Sequence, residues 1–210
     1  MHVIATDVSD TKDKMARMAK MQLEKPGFAI DPYFYRSHIT YQSELEHIVF
    51  KSWLYAGHIS QIPNKGDYFL VDIGEDSIIV CRDRKEQIHA MHNMCRHRGA
   101  RVCEESSGNK RTFSCPYHGW GYGLDGKLKA ARDMRDVEGF DFDDYGLLHV
   151  RMEIFQGMIF INCDPDAPDF QKPLSKISRQ LGAYDLENAK VAEAKTYRID
   201  ANWKLCLENY

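Results

Sequence analysis

Two short Cys–His motifs constrain this sequence more than any other feature. Cys95 and His97 form a C-x-H pair, and Cys115 and His118 form a C-x-x-H pair further along the chain. Each pair lies between predicted β segments, so two loops can face each other. Thiolate and neutral imidazole are good ligands for zinc and for iron. The four side chains therefore predict a metal centre held between two loops.

Two kinds of metal centre fit these residues. Structural zinc sites commonly begin with two cysteines separated by two to four residues, rather than with C-x-H. An alternating order of Cys and His instead suits two metals, because each loop then gives a thiolate to one iron and an imidazole to the other. This is the Rieske [2Fe–2S] arrangement, in which two His replace two Cys on one iron. A structural Cys2His2 zinc module is the alternative.

The composition excludes several classes of protein. The chain has 210 residues, of which 43% are hydrophobic, and a net charge of −3 without a long basic block. This charge argues against a nucleic-acid or anionic-membrane partner. No apolar run is long enough for a transmembrane helix, and the N-terminus lacks the pattern of a secretory signal. We therefore expect a cytoplasmic protein, in which clustered Cys and His indicate metal or redox chemistry rather than disulfides.

The hydrophobic pattern predicts a mainly β chain with flanking helices, an α+β fold. Apolar residues at helical spacing predict a helix over 15–23, and Ser43 with Glu46 forms a capping box for a second helix. From Trp53 the period changes to two, and strands are predicted at 53–55, 68–71, 77–81 and 87–91, with a hairpin around Asp125-Gly126. Beyond these, the pattern predicts strands at 147–155 and 157–163, a helix near 174–181, a strand near 191–199 and a helix opening at Asn202.

These elements divide the chain into three predicted segments. Residues 1–39 form an N-terminal helical segment, and residues 40–145 form a small antiparallel β domain that contains both Cys–His motifs. Residues 146–210 begin a further domain. The helix that opens at Asn202 stops in the middle of its apolar pattern, so we expect the sequence to be part of a longer chain.

The two motifs and their surroundings resemble a known family. The stretches CRHRGARVC (95–103) and CPYHGWGYGLDGKL (115–128) are similar to the Rieske domain of Rieske non-haem iron oxygenase α subunits. The resemblance runs from WLYAGH at 53–58 to NWKLCLENY at 202–210. It implies a Rieske antiparallel β domain inserted before the start of a helix-grip-like α+β catalytic domain. It also implies a ligand set, in which Cys95 and Cys115 bind one iron of a [2Fe–2S] cluster, His97 and His118 bind the other, and Trp120 shields the cluster.

The respiratory and photosynthetic Rieske proteins differ from this sequence at three positions. They carry two further cysteines joined in a disulfide, at the places held here by Ala100 and Tyr117. Trp120 stands where those proteins have a serine whose hydroxyl bonds a cluster sulfur. Fewer hydrogen bonds to the sulfurs imply a lower reduction potential, which suits an oxygenase.

In the same family, a second iron site performs the oxygen chemistry. That mononuclear iron(II) is held by two His and one carboxylate, and its motif begins N-W-K-x-x-x-E-N. Residues 202–209 match this opening, and the sequence ends at Tyr210, before the place of the ligands. We therefore expect no catalytic ligand in this sequence, and only Glu208 and Asn209 as candidates for residues beside such a site.

The resemblance also implies partners and an activity for the full-length protein. A ferredoxin or a flavin/iron–sulfur reductase would supply electrons that originate from NAD(P)H, and the oxygenase would be a homotrimer with a small-molecule substrate. The similarity is to the branch that hydroxylates or N-demethylates quaternary ammonium compounds such as glycine betaine. An aromatic-ring hydroxylating dioxygenase α subunit is one alternative. A stand-alone Rieske ferredoxin-like electron carrier is another, although it would need only the β domain.

The remaining cysteines and histidines receive no ligand role. Cys81, Cys163 and Cys206 are predicted to be small buried hydrophobic residues. His58 and His92 are the candidates for residues that support the ligands without binding the metal.

Overall fold

The computed structural model describes residues 9–134, 136–175 and 177–209. Residues 1–8, with which the predicted N-terminal segment begins, and Tyr210, which ends the last predicted segment, lie outside these ranges. The chain forms two compact units. One combines the residues up to Lys51 with those from Ala194 onward, and the other is Ser52–Glu193. In the described ranges, no helix is both long enough and apolar enough to cross a membrane.

Regular elements account for much of both units. The helices of the described residues are α1 (Lys12–Leu23), α2 (Tyr33–Arg36), α3 (His38–Glu44), α4 (Gln171–Leu174), α5 (Ser178–Leu181) and α6 (Trp203–Glu208). The strands are β1 (Leu54–His58), β2 (Asp67–Ile73), β3 (Asp76–Arg82), β4 (Ile88–His92), β5 (Ser107–Asn109), β6 (Phe113–Ser114), β7 (Gly121–Tyr122), β8 (Leu128–Ala130), β9 (Arg151–Phe155) and β10 (Met158–Asn162). A π-helical turn, Leu45–Val49, continues α3, and short 3₁₀ turns cover Ile59–Gln61, Phe142–Tyr145, Gly182–Tyr184 and Leu186–Asn188.

The N-cap of helix α3 lies six residues before the predicted one. Ser37 is the N-cap, and its Oγ accepts a hydrogen bond from Thr40 N–H at 3.0 Å. The Asp10 carboxylate accepts the Ser37 hydroxyl at 2.8 Å and so fixes the capping side chain. The prediction that Ser43 caps a helix is therefore wrong, since Ser43 lies inside α3. The spacing of a capping box can be recognised in the sequence. Which serine is the cap depends on the contact of Ser37 with Asp10, which the spacing does not show.

The helix α6 begins where the sequence predicts and is held by a charged contact within its own unit. The Asn202 side chain caps it by accepting Lys204 N–H at 3.1 Å. Lys204 Nζ donates to Glu44 Oε1 at 2.6 Å, and Trp203 Nε1 donates to Glu44 Oε2 at 2.9 Å. The side chains of Lys204 and Glu44 are only 14% and 13% exposed. The two residues that follow the cap thus anchor α6 to the end of α3.

The unit Ser52–Glu193 contains three antiparallel sheets, with strand orders β1-β10-β9, β4-β3-β2-β5 and β6-β7-β8. In β3, at the centre of the second sheet, the consecutive residues 78–81 are fully buried. This unbroken apolar run is typical of a strand covered on both faces. The predicted hairpin around Asp125-Gly126 is confirmed as the connection between β7 and β8. The mainly β fold with helices is therefore confirmed.

The two strands predicted after residue 146 pair back with the start of the β segment. The central strand β10 lies between β9 and β1, with Ile161 opposite Leu54 and Met158 opposite His58. These strands thus share a sheet with residues that the sequence analysis placed in a different segment. The three segment boundaries themselves stay a prediction.

Two of the later predicted elements differ in the structure. The predicted strand near 191–199 is wrong, since residues 191–199 have no regular structure and Val191, Tyr197 and Ile199 are exposed. An alternating pattern forms a strand only when a neighbouring strand satisfies its backbone. The predicted helix near 174–181 is divided into α4 and α5. Ser175 Oγ donates to Lys172 O at 2.8 Å, and such side-chain bonds to the backbone compete with a continuous helix.

We predict that Lys204→Met loosens α6. The substitution keeps the length of the side chain but leaves a poorly exposed Glu44 carboxylate without its cation, so the free energy of opening α6 should fall by about 1–3 kcal/mol. Amide hydrogen exchange of the α6 peptide measures this change. Lys20→Met, on the exposed surface of α1 in the same unit, is the control and should alter stability by less than about 0.5 kcal/mol. Equal exchange rates in the two variants would show that the Glu44 contact does not hold the helix.

Candidate metal centre

Both Cys–His motifs lie on loops that are closed by the same pair of backbone hydrogen bonds. In the first loop, residues 95–100, Cys95 N–H donates to Ala100 O at 2.8 Å and Cys95 O accepts Gly99 N–H at 2.9 Å. In the second loop, residues 115–120, Cys115 N–H donates to Trp120 O at 2.8 Å and Cys115 O accepts Gly119 N–H at 3.0 Å. The two motifs therefore form turns of the same kind, each with its cysteine at the base.

A glycine in the left-handed region closes each of these turns. The φ angles of Gly99 and Gly119 are +73° and +75°. A Cβ atom at either residue would meet nothing within 4 Å, so the backbone angle rather than crowding requires glycine there.

The two cysteine side chains are buried next to each other. Cys95 and Cys115 are part of the same apolar core cluster as Tyr68, Trp120 and Tyr122. Burial raises the pKa of the Cys115 thiol; the backbone N–H of Tyr117 partly offsets this, and the neighbouring Cys95 thiol raises the pKa further. Thiolates at this place need a positive partner, and a bound metal ion provides one.

The two imidazoles lie together on the outer side of the cysteines. The ring centroids of His97 and His118 are 4.7 Å apart with an interplanar angle of 65°, and His118 is exposed. Burial lowers the pKa of His97, and the charges of His118 and Arg98 lower it further. Neutral imidazole, which this shift favours, is the form that binds metals.

One ring nitrogen of this pair is buried without a partner. His97 Nδ1 is buried and has no hydrogen-bond partner among the described residues. A buried polar atom without a partner costs free energy, so its presence requires an explanation. A metal ligand role explains it, and the donor set of two thiols and two imidazoles fits a Rieske cluster.

Trp120 packs on the first loop from the second. Its indole is stacked on the His97 ring, with centroids 4.8 Å apart and an interplanar angle of 8°. On its other edges it contacts Phe140 and Tyr145, and it is almost completely buried. That Trp120 shields a cluster stays a prediction, and these contacts show how its ring is held beside His97.

Sequence reasoning missed Tyr122, whose hydroxyl reaches the first loop. Its oxygen accepts Arg96 N–H at 3.1 Å and lies 3.2 Å from Cys95 Sγ. Because a thiolate can only accept, the Tyr122 O–H donates to Cys95 when that residue is ionised. Burial raises the pKa of Tyr122, and the hydrogen bond with Cys95 raises it further. The position of Tyr122, four residues after His118 of the second motif, was the only signal in the sequence.

The other four candidate residues have contacts or positions of their own. The buried His58 bonds Ser60 Oγ at 2.9 Å and Leu186 O at 3.0 Å, and His92 lies in β4. Glu208 accepts the Tyr35 hydroxyl at 2.7 Å, and Asn209 is the C-cap of α6. The support roles of these four residues stay predictions.

The structure corrects part of the prediction for the remaining cysteines. Cys81 is buried, as is Cys103, but Cys163 is only partly buried and Cys206 is exposed. The short helix α6 is amphipathic, and the sequence does not show which of its faces is covered.

The four side chains do not form a site for a single metal ion. In residues 9–134, 136–175 and 177–209, no group of three or more His, Cys, Asp and Glu side chains could hold a metal ion. In a Rieske cluster each iron takes two protein ligands.

Comparison with known proteins decides between the kinds of centre. Residues 52–141 match the family model of the Rieske [2Fe-2S] domain. This part of the chain is a Rieske domain. The predicted [2Fe–2S] cofactor is therefore confirmed at the level of the domain, and the zinc module is not supported.

The similarity extends beyond the Rieske domain. The chain is 38% identical to the glycine betaine monooxygenase oxygenase subunit of Pseudomonas aeruginosa over 182 residues, which are 87% of this chain and 42% of that protein. It is 34% identical to the biphenyl 2,3-dioxygenase subunit alpha of Rhodococcus jostii over 200 residues, or 93% of this chain and 43% of that protein.

A solved structure gives the same result. The chain resembles the quaternary ammonium Rieske monooxygenase CntA, solved in complex with L-carnitine, with a TM-score of 0.77 and 31% identity. This match covers 85% of this chain and 51% of CntA. The chain thus spans about half the length of the proteins it matches, and its resemblance to Rieske oxygenase α subunits is confirmed.

We predict that the cysteines outside the two motifs differ sharply in reactivity. Burial raises the pKa of Cys81 to about 12 and that of Cys103 to about 11, so at pH 8 both are protonated thiols without solvent access. Cys206, which is exposed, should react with iodoacetamide in the folded protein, whereas Cys81 and Cys103 should react only after unfolding. Peptide mass spectrometry of the alkylated protein measures this order. Parallel modification of Cys81 and Cys206 in the folded state would contradict the buried positions.

Proposed function

We propose that this chain is the electron-accepting part of a Rieske oxygenase α subunit, and that Cys95 and Cys115 bind one iron of its cluster while His97 and His118 bind the other. The observation that carries the proposal is the unpartnered, buried His97 Nδ1 beside a second imidazole, on two loops whose cysteine thiols are buried. When bound, a Rieske cluster takes up and passes on one electron at a time.

The chain itself contributes three things to this function. Each closed loop holds its cysteine at the base and carries its histidine two or three positions later. The apolar core around the sulfurs excludes water from the cysteine side. The exposed His118 places the histidine side at the surface, where an electron donor or acceptor can approach.

We predict that His97→Ala or His118→Ala abolishes the Rieske spectrum of the purified chain and leaves most of the β fold intact. The unchanged chain, isolated or reconstituted without oxygen, should contain two irons and two acid-labile sulfides and show the electron paramagnetic resonance signal of a Rieske cluster. His149→Ala is the control, since His149 is an exposed histidine of the same unit that bonds Asp125 O. Zinc without sulfide in the chain, or an unchanged spectrum in the two ligand variants, would refute the assignment.

We also predict that Tyr122→Phe lowers the reduction potential of the cluster. The Tyr122 hydroxyl donates to a ligand sulfur, and this bond stabilises the reduced, more negative cluster. A hydrogen bond worth about 1 kcal/mol corresponds to roughly 40 mV for one electron. Tyr68→Phe is the matched control, because Tyr68 is an equally buried tyrosine on β2 of the same core. A redox titration that gives the same potential for both variants would contradict the role of the hydroxyl.

For the full-length protein, we propose the oxidation of a quaternary ammonium compound. The proposal is supported by similarity to a glycine betaine monooxygenase oxygenase subunit and to CntA, whose complex contains L-carnitine. An aromatic substrate is the alternative, because a biphenyl dioxygenase subunit is similar over slightly more of this chain. Oxygen consumption by the full-length protein with a matching reductase, with glycine betaine, carnitine and biphenyl in turn, distinguishes the two.

The remaining parts of the proposal concern partners and organisation. We propose that a ferredoxin or a flavin/iron–sulfur reductase donates the electrons, that the full-length protein is a homotrimer with a mononuclear iron, and that it works in the cytoplasm. The division into residues 1–39, 40–145 and 146–210 and the supporting roles of Glu208 and Asn209 belong to the same proposal.

A further inference from the structure

The first loop (residues 95–100) and the second loop (residues 115–120) differ in how their ends are held together. The second loop leaves β6 and enters β7, and these strands pair directly, with Ser114 opposite Gly121 and Phe113 opposite Tyr122. A ladder of backbone hydrogen bonds therefore closes the second loop. The first loop leaves β4, but residues 101–104, which follow it, are all described and form no strand.

A single buried side chain occupies the corresponding place in the first loop. Asn93 follows β4 directly, two residues before Cys95, and is 2% exposed. Its Oδ1 accepts Val102 N–H at 2.9 Å and Cys103 N–H at 2.8 Å. Its Nδ2 donates to Cys103 O at 2.8 Å and to Ser77 Oγ at 3.2 Å. The amide thus joins the residue that enters the loop to the residues that leave it.

These contacts use the full capacity of the amide group. An asparagine side chain has two N–H donors and one oxygen with two lone pairs, and all four are matched here. The partners also fix the orientation of the amide, since two N–H groups face Oδ1 whereas a carbonyl and a hydroxyl face Nδ2. Neither aspartate nor leucine, which are close to asparagine in size, can make this set of bonds.

The backbone of Asn93 extends the same connection to the second sheet. Asn93 N–H donates to Ser77 O at 2.8 Å, so the residue is bonded to β3 through both its backbone and its side chain. The exit of the first loop is thereby fixed to the central strand of the sheet.

We propose that Asn93 is the positioning residue of the first loop: its amide replaces the strand pair that closes the second loop and so sets the position of Cys95 and His97. This inference rests on the proposed function, because it assumes that these two residues are cluster ligands. The Asn93 side chain does not bond Cys95 or His97 directly. It acts through the backbone of residues 102–103.

The test compares two isosteric substitutions in the holo protein. Asn93→Asp keeps the shape of the side chain but removes both N–H donors and sets an oxygen against Cys103 O. Asn162→Asp is the matched control, because Asn162 is 1% exposed, is the last paired residue of β10, and accepts Asp164 N–H at 2.8 Å through Oδ1. Both variants bury the same new carboxyl group at the end of a strand.

We expect the two variants to separate in three measurements. In Asn93→Asp, transfer of iron to a chelator should be about 10- to 100-fold faster, the factor by which metal affinity falls when a residue that orients metal ligands is lost. The g-values of its electron paramagnetic resonance signal and its reduction potential should also shift. A general loss of stability does not produce such shifts. Asn162→Asp should lower the melting temperature without any of these changes. If both variants show the same melting temperature, g-values and rate of iron loss, Asn93 has no positioning role.

A milder variant covers the case in which Asn93→Asp does not fold. Ser77→Ala removes one of the four hydrogen bonds of the amide and leaves those with Val102 and Cys103 in place. We therefore expect the fold to be retained and the rate of iron loss to rise by less than in Asn93→Asp. An unchanged rate in Ser77→Ala together with an unfolded Asn93→Asp would overturn the proposal, since Asn93 would then serve the core and not the loop. A failure of the ligand assignment is distinguishable from all of these results, because the unchanged protein would then show no Rieske signal.

Discussion

The candidate cluster site depends on one pair of backbone hydrogen bonds, which the chain forms twice. In each loop the cysteine N–H and C=O both bond within the turn, so the cysteine stays at the base. The histidine two or three positions later then lies at the outer side. Because both bases are part of the apolar core, the thiols are buried together, whereas the two imidazole rings contact each other and are more exposed. The separation of the two ligand types thus follows from the geometry of the turn.

Two aromatic side chains that follow the second motif contact the first loop. Trp120 stacks on His97, and the Tyr122 hydroxyl bonds both the Cys95 sulfur and the backbone of Arg96. Tyr122 is paired with Phe113 in the strand pair β6–β7, and Trp120 is held by the hydrogen bond from Cys115 N–H to its carbonyl oxygen. The second loop, which is closed by a strand pair, therefore supports the first, whose own ends are joined by the side chain of Asn93 instead of by a ladder. This dependence makes the position of one pair of proposed ligands sensitive to residues remote from it in sequence.

Local sequence patterns predicted much of the fold correctly. They gave wrong predictions where an element depends on a partner that is distant in the sequence. Strands β2, β3 and β4 follow one another and pair in order, so alternation and the turns between them predict them well. The pairing of β1 with β10 joins residues about a hundred positions apart, and no local signal records it. The alternating residues 191–199 failed as a strand for the same reason, since they have no neighbouring strand in the described part of the chain. Ser43 has the spacing of a cap, but Asp10 fixes Ser37 instead.

The sequence by itself determined which chemistry is available here, because two thiols and two imidazoles at this spacing are specific to a small number of metal centres. It also determined the turns that carry them, since Gly99 and Gly119 set the backbone angle that closes each loop. Only the tertiary structure decided the surroundings of the four side chains. The contacts of Tyr122 and of Asn93 with the first loop depend on how sheets pack and where strands end. Such contacts join residues across the fold, and the identity of a tyrosine or an asparagine does not specify its partner.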